Sequence, residues 1–166
     1  AWKEGYYFAG KKEGSWLYWH WNGEKLAVET YRNGIIHGPW KKWYANGQIE
    51  IEGNCINNRP IGKLNSFYEN GQKHSEMYYK DGKKDGKQTW WYEYGQKRRE
   101  VNYKNGKLNG RTINSWHENG QIKREIKYKD DKKDGKYTSR YEDGQKSSEG
   151  NYKDDKKDGK YTSRYE

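Results

Sequence analysis

The residues that could carry catalysis are His20, His37, His74 and His117, the single thiol Cys55, and a recurring series of glutamates. Nucleophilic catalysis needs a serine or cysteine beside a base, and glycoside cleavage needs two facing carboxylates. Neither pattern is present. The histidines stand in different parts of the chain, and Glu52, Glu76, Glu100, Glu125 and Glu149 follow one another at steps of 24 or 25 residues, the layout of a ladder. No catalytic residue is assigned, and the chain reads as a non-enzyme.

Metal ligation fares no better. One thiol and four dispersed histidines give no zinc spacing. Residues 130–135, DDKKDG, look like the start of a calcium loop, but Lys132 takes the third ligand position and Tyr141 stands where a bidentate glutamate should close the site. A solvated turn is expected there, and no metal and no cofactor are expected anywhere.

Binding chemistry is better represented. Lys83, Lys84, Lys107, Lys132, Lys133, Lys156 and Lys157 recur at one place in the pattern and form a candidate basic binding edge. Residues 1–83 hold 12 basic and 9 acidic groups, whereas residues 84–166 hold 22 and 15. A basic half of this kind attracts acidic partners. The bland reading of the same lysines is a charged edge that blocks sheet-to-sheet aggregation.

The elements that place these groups are set by a repeat. Glycines follow a first turn at Gly23, Gly47, Gly71, Gly95, Gly120 and Gly144, and a second series runs Gly14, Gly38, Gly62, Gly86, Gly110, Gly135 and Gly159, with a period of 24 residues and one step of 25. A fixed period in this range indicates a stacked array. Asn70-Gly71 lies between two strand-forming runs, which predicts a two-residue type I′ hairpin, and Asp81-Gly82 leads into the next copy. The extra residue falls within positions 111–115, where a β-bulge is expected. The expected fold is all-β: a linear repeat array of antiparallel hairpins, about fourteen strands in one elongated, twisted meander. It is read as one domain over 1–166, with a partial copy at 1–14, complete copies starting at 14, 38, 62, 86, 110 and 135, and a partial copy at 159–166.

Leu, Ile, Val and Phe together number only 17 of 166 residues, and the net charge is +10, a composition usually associated with disorder. The nine Trp and 17 Tyr overrule that reading because they recur in register. Trp19, Trp43, Phe67, Trp91 and Trp116 form a structural aromatic column, which ends at Arg140 and Arg164. Beside it run His20, Tyr44, Tyr68, Tyr92, His117, Tyr141 and Tyr165. On the second strands, positions equivalent to Lys73, Ser75, Met77 and Tyr79 alternate as one inner face, with the glutamates on the opposite, wetter face. Stacked glutamates repel, so Lys and Arg are expected among them.

The unit carried by Trp43-Tyr44-Ala45-Asn46-Gly47-Gln48, Phe67-Tyr68-Glu69-Asn70-Gly71-Gln72 and Tyr79-Lys80-Asp81-Gly82-Lys83 resembles the MORN repeat, in its bacterial variant found in the YwqK-type antitoxin family. The resemblance implies a sheet of hairpins that binds other proteins or, in eukaryotic relatives, acidic lipids. Another protein is therefore the favoured partner, a toxin among the candidates, with an anionic lipid surface as the alternative through the basic edge. Nucleic acid is set aside because the rings that would stack on bases are needed for the core. A choline cage is set aside because the tryptophan column ends at Arg140. The chain begins at Ala1 in mid-repeat, which leaves the compartment open, the cytoplasm favoured.

Overall fold

The computed structural model describes residues 2–164, which divide into two compact units, Ala1–Lys83 and Lys84–Glu166. Tyr165 of the second aromatic series lies outside the described residues. The described chain is all-β, antiparallel throughout, with sixteen strands.

In the first unit the strands are β1 (Trp2–Phe8), β2 (Lys11–Trp19), β3 (Lys25–Arg32), β4 (Ile35–Trp43), β5 (Ile49–Ile56), β6 (Arg59–Phe67) and β7 (Lys73–Lys80), each paired with its sequence neighbours. The two-residue strand β8 (Lys83–Lys84) falls on the division. The second unit contains β9 (Gly86–Trp91), β10 (Lys97–Lys104), β11 (Lys107–Leu108), β12 (Gly110–Trp116), β13 (Ile122–Lys129), β14 (Lys132–Arg140), β15 (Lys146–Lys153) and β16 (Lys156–Ser163). β11 is the detached start of β12 and pairs with β10.

The two turns exchange the roles expected of them. At the first turn Asn22, Asn46, Asn70 and Asn119 keep negative φ, and only the following glycine is left-handed, as at Gly47 with φ 82°. The cause is the asparagine side chain. Asn46 Oδ1 accepts the Gln48 N–H at 2.9 Å, which fixes a wider turn closed by Gly47 N donating to Tyr44 O at 3.0 Å. The type I′ geometry belongs to the second turn, where both central residues have positive φ: Asp81 at 50° and Gly82 at 75°, Asp130 at 48° and Asp131 at 69°.

A bulge sits beside every first turn within the hairpins. Ser66 faces Ser75 but Phe67 faces Lys73, so His74 is the extra residue, and the same shift separates Lys42/Trp43 and Ser139/Arg140. Its consequence corrects the expected inner face. Because Lys73 opposes Phe67 and Glu76 opposes Asn65, Lys73 lies on the glutamate side, together with the aromatic column. Only the Ser75, Met77 and Tyr79 positions share the other face. The single extra residue of the long copy is Asn114, where the β12–β13 register shifts between Ile113 and Ser115.

The residues of the aromatic column are not the most deeply packed. Trp19, Trp43, Phe67, Trp91 and Trp116 are half-buried, whereas Trp16, Ala27, Cys55, Val101, Ile113 and Ile126 are buried, with Ser75, Gln88, Thr89, Thr112, His117 and Thr138. Glycines inside the strands make room for this packing. A Cβ on Gly53 would stand 2.5 Å from Leu64 Cδ1, and one on Gly5 or Gly150 would meet the ring of Trp16 or Tyr161.

Candidate binding surfaces

The first-turn row is a ladder between successive copies. In the first unit His20 Nε2 donates to Trp43 O at 3.2 Å and Tyr44 Oη to Phe67 O at 2.9 Å, while Asn22 and Asn46 donate to Ala45 O and Glu69 O. The second unit repeats it with His117 Nε2 to Arg140 O at 2.7 Å, Tyr141 Oη to Arg164 O at 2.7 Å and Asn119 to Glu142 O. In the copy where Tyr94 replaces the asparagine, Gln96 Nε2 takes over and reaches His117 O at 2.6 Å. The turn glycines Gly23, Gly47, Gly71, Gly95, Gly120 and Gly144 are thus structural members of this row, all left-handed.

This held row presents aromatic rings to solvent. Trp21 is 89% exposed, and Tyr94, 68% exposed, stacks on Tyr92 at 5.2 Å with the Arg98 guanidinium 5.6 Å from the Tyr92 ring.

The opposite turn row holds the lysines, and the structure splits them in two. Lys84 and Lys133 lean over Tyr103 and Tyr152 at 5.2 Å, and Lys157 over Tyr161 at 3.9 Å, so these three are engaged with rings. Lys83, Lys107, Lys132 and Lys156 are exposed, with Lys132 3.4 Å from Asp154. The neighbouring acids are used on backbone. Asp131 donates its N–H to Leu108 O at 3.0 Å while its Oδ1 accepts Leu108 N–H at 2.7 Å, and Asp155 and Asn58 clamp Lys133 and Ile36 in the same way. These clamps compensate the left-handed backbone at non-glycine residues. They also account for the acidic run at 130–135. Among the described residues no group of three or more His, Cys, Asp or Glu could hold a metal ion.

On the glutamate face each carboxylate sits among cations. Glu76 meets Lys63 at 2.9 Å and Lys73 at 2.8 Å, Glu125 meets Arg111 and, at 3.1 Å, Arg140, and Glu149 meets Lys146 at 2.6 Å and Lys136 at 3.8 Å. Arg140, which ends the aromatic column, therefore serves the glutamate series. Burial alone would raise the Glu76 carboxyl, but hydrogen bonds from Lys73, Lys63 and Tyr78 outweigh it and hold it at about 2. The Glu125 carboxyl is lowered against its burial by Arg111 and Arg140. Burial pushes the Cys55 thiol up, away from reactivity.

A model of the MORN repeat variant matches residues 36–57, 60–81, 84–105, 114–130 and 133–154, more than half of the chain. The chain belongs to the MORN repeat variant family. Each matched MORN segment contains one first turn and ends at the first central residue of a second turn, and the gap between 105 and 114 contains β11 and the start of β12. MORN repeats are protein-binding or membrane-binding modules of a non-catalytic type. No curated protein matches the chain.

Sequence reasoning missed the clamps at Asn58, Asp131 and Asp155, whose signal was a non-glycine residue in the second place of a type I′ turn. It also missed the strand glycines Gly5, Gly53 and Gly150, each marking a close approach by a side chain of the next copy.

Proposed function

We propose that the chain is a non-catalytic scaffold that binds another protein, and that the first-turn row supplies the anchors. Trp21 carries this reading. A tryptophan 89% exposed at the tip of a hydrogen-bonded turn is held in place without being used for packing. Trp, Tyr and Arg dominate the energetics of protein interfaces, and Tyr92, Tyr94 and Arg98 supply the other two types in the second unit. Net charge +10 favours an acidic partner surface and disfavours a nuclease whose cleft is itself basic. In this reading the partner is a toxin that the chain neutralises, as the family resemblance implies.

The test is growth rescue followed by direct binding. Products of genes flanking this one are expressed singly, and one that stops growth is co-expressed with the chain. Rescue by wild type but not by Trp21→Ala, with a one-to-one complex of the purified pair, is the expected result. Rescue and complex formation unaffected by Trp21→Ala and by Tyr94→Ala would refute the assigned anchors.

A second reading, anionic lipid, is supported by the exposed Lys83, Lys107, Lys132 and Lys156, since each basic residue near such a surface contributes about 1 kcal/mol. Co-sedimentation with anionic and with neutral vesicles separates the two. Salt-sensitive binding to anionic vesicles alone, lost in Lys132→Glu/Lys156→Glu, favours lipid.

A further inference from the structure

One groove is built three times on the glutamate face. In the first unit it is lined by Pro39, Glu52, Gly53, Asn54, Lys63 and Asn65, and extends over Val28, with a volume of about 450 Å³. In the second unit Arg111, Glu125, Ile126, Lys127, Lys136 and Thr138 line one of about 250 Å³. Lys136, Glu149, Gly150, Asn151, Lys160 and Thr162 line the next, of about 320 Å³. Position by position these are the same six places of the repeat. Lys136 belongs to both grooves of the second unit, so those two are contiguous.

The charge of the walls differs between the units. In the first groove Lys41 pairs with Glu52 and Lys63 with Glu76, each at 2.9 Å, whereas the grooves of the second unit hold an excess of cations: Arg111, Lys127 and Lys136 against Glu125, and Lys136 and Lys160 against Glu149. The carboxylates of Glu125 and Glu149 are lowered by their cations, so they remain ionised acceptors. Asn65, whose Oδ1 is buried without a hydrogen-bond partner, belongs to the lining of the first groove.

We propose that this face of the second unit binds a linear acidic polysaccharide, with one groove for each pair of sugars. Its two contiguous grooves are two strands apart, about 9.6 Å at the usual strand spacing, which an extended glycan spans in two rings. One anionic group per two sugars matches the surplus of at least one cation per groove, and sugar hydroxyls match the carboxylates and amides between them. An extended peptide fits less well. It would need free main-chain donors and acceptors, which a sheet offers at its edge and not on a face whose strands are paired. A single nucleic-acid strand carries charge more densely and would need exposed rings, and none of the exposed rings lines these grooves.

The experiment is calorimetric titration with hyaluronan oligosaccharides, which carry one carboxylate per two sugars, from disaccharide to octasaccharide, beside dextran, poly-glutamate and single-stranded DNA. Affinity is expected to rise from disaccharide to tetrasaccharide, the length that fills the two contiguous grooves of the second unit, with no binding of dextran. Lys136→Glu, which touches two grooves, is expected to weaken binding at least about tenfold. Lys123→Glu, the same charge change outside the grooves, and Trp21→Ala are expected to leave it unchanged. If Lys136→Glu does not fold, Lys136→Gln tests the same point. Equal affinity for DNA or poly-glutamate, equal loss with Lys123→Glu, or no binding of the hyaluronan oligosaccharides overturns the proposal.

Discussion

Tyr44 donates its phenolic hydrogen to the main-chain carbonyl of Phe67 at 2.9 Å, joining two copies of the repeat across 23 residues. The donor comes from one aromatic series and the acceptor is the backbone of the other, so the side-by-side series seen in sequence are a donor and an acceptor line. Tyr44→Phe keeps the ring and removes only the hydrogen bond. It is expected to lower stability by about 1 kcal/mol in urea unfolding, with the β-sheet spectrum unchanged.

Trp16 and Trp43 distinguish the two packing environments. Trp16 is 2% exposed and lies over Gly5, whereas Trp43 is half-buried. Trp16→Ala is expected to cost about 3–5 kcal/mol, the usual penalty for truncating a large core residue. Trp43→Ala is expected to cost clearly less. Parallel denaturant curves for the two variants check the ranking, and the reverse order would make the aromatic column the true core.

Gly53 is a strand residue that a methyl group would spoil. Gly53→Ala would place its Cβ 2.5 Å from Leu64 Cδ1, and overpacking of this kind typically costs about 1–3 kcal/mol. Adding Leu64→Ala opens the space again. The double variant is expected to be more stable than the sum of the single losses allows, and strict additivity in a double-mutant cycle would show that the contact is unimportant.

Glu76 gives the fold an acid limit. Its carboxyl sits at about 2 against an ordinary 4.5, so the folded state binds this proton less readily than the unfolded state. The contribution is complete above about pH 5 and is lost as pH falls from 4.5 towards 2. Thermal melts across this window are expected to show a shallower decline for Glu76→Gln than for wild type. An identical slope would mean that Lys63 and Lys73 do not stabilise the carboxylate in solution.

The period, the strand content and both turn positions were legible in sequence because glycines mark left-handed backbone and nothing else in the unit substitutes as well. Turn type was less legible. Asn70-Gly71 has the composition of a type I′ turn, but the side chain of such an asparagine accepts a backbone N–H two residues on, as Asn70 does from Gln72 at 2.9 Å, and that local bond selects the other geometry. The bulge at His74 left no trace in composition, yet it moves Lys73 to the other face and so decides which residues stand beside Glu76. The groove was invisible for a related reason. Lys63 and Glu52 come from successive copies, and only the pairing of β5 with β6 brings them to one wall.

Strand pairing confined to sequence neighbours has a mechanical consequence. When a unit is pulled by its two ends, force reaches one hairpin at a time, and hydrogen bonds open in succession as a zipper does. Each released copy of 24 residues adds a contour length of about 80 Å at roughly 3.4 Å per residue. The two-bond clamps at Asn58 in the first unit and at Asp131 and Asp155 in the second interrupt that opening. A chain built in this way yields stepwise under tension and extends while its remaining copies stay folded.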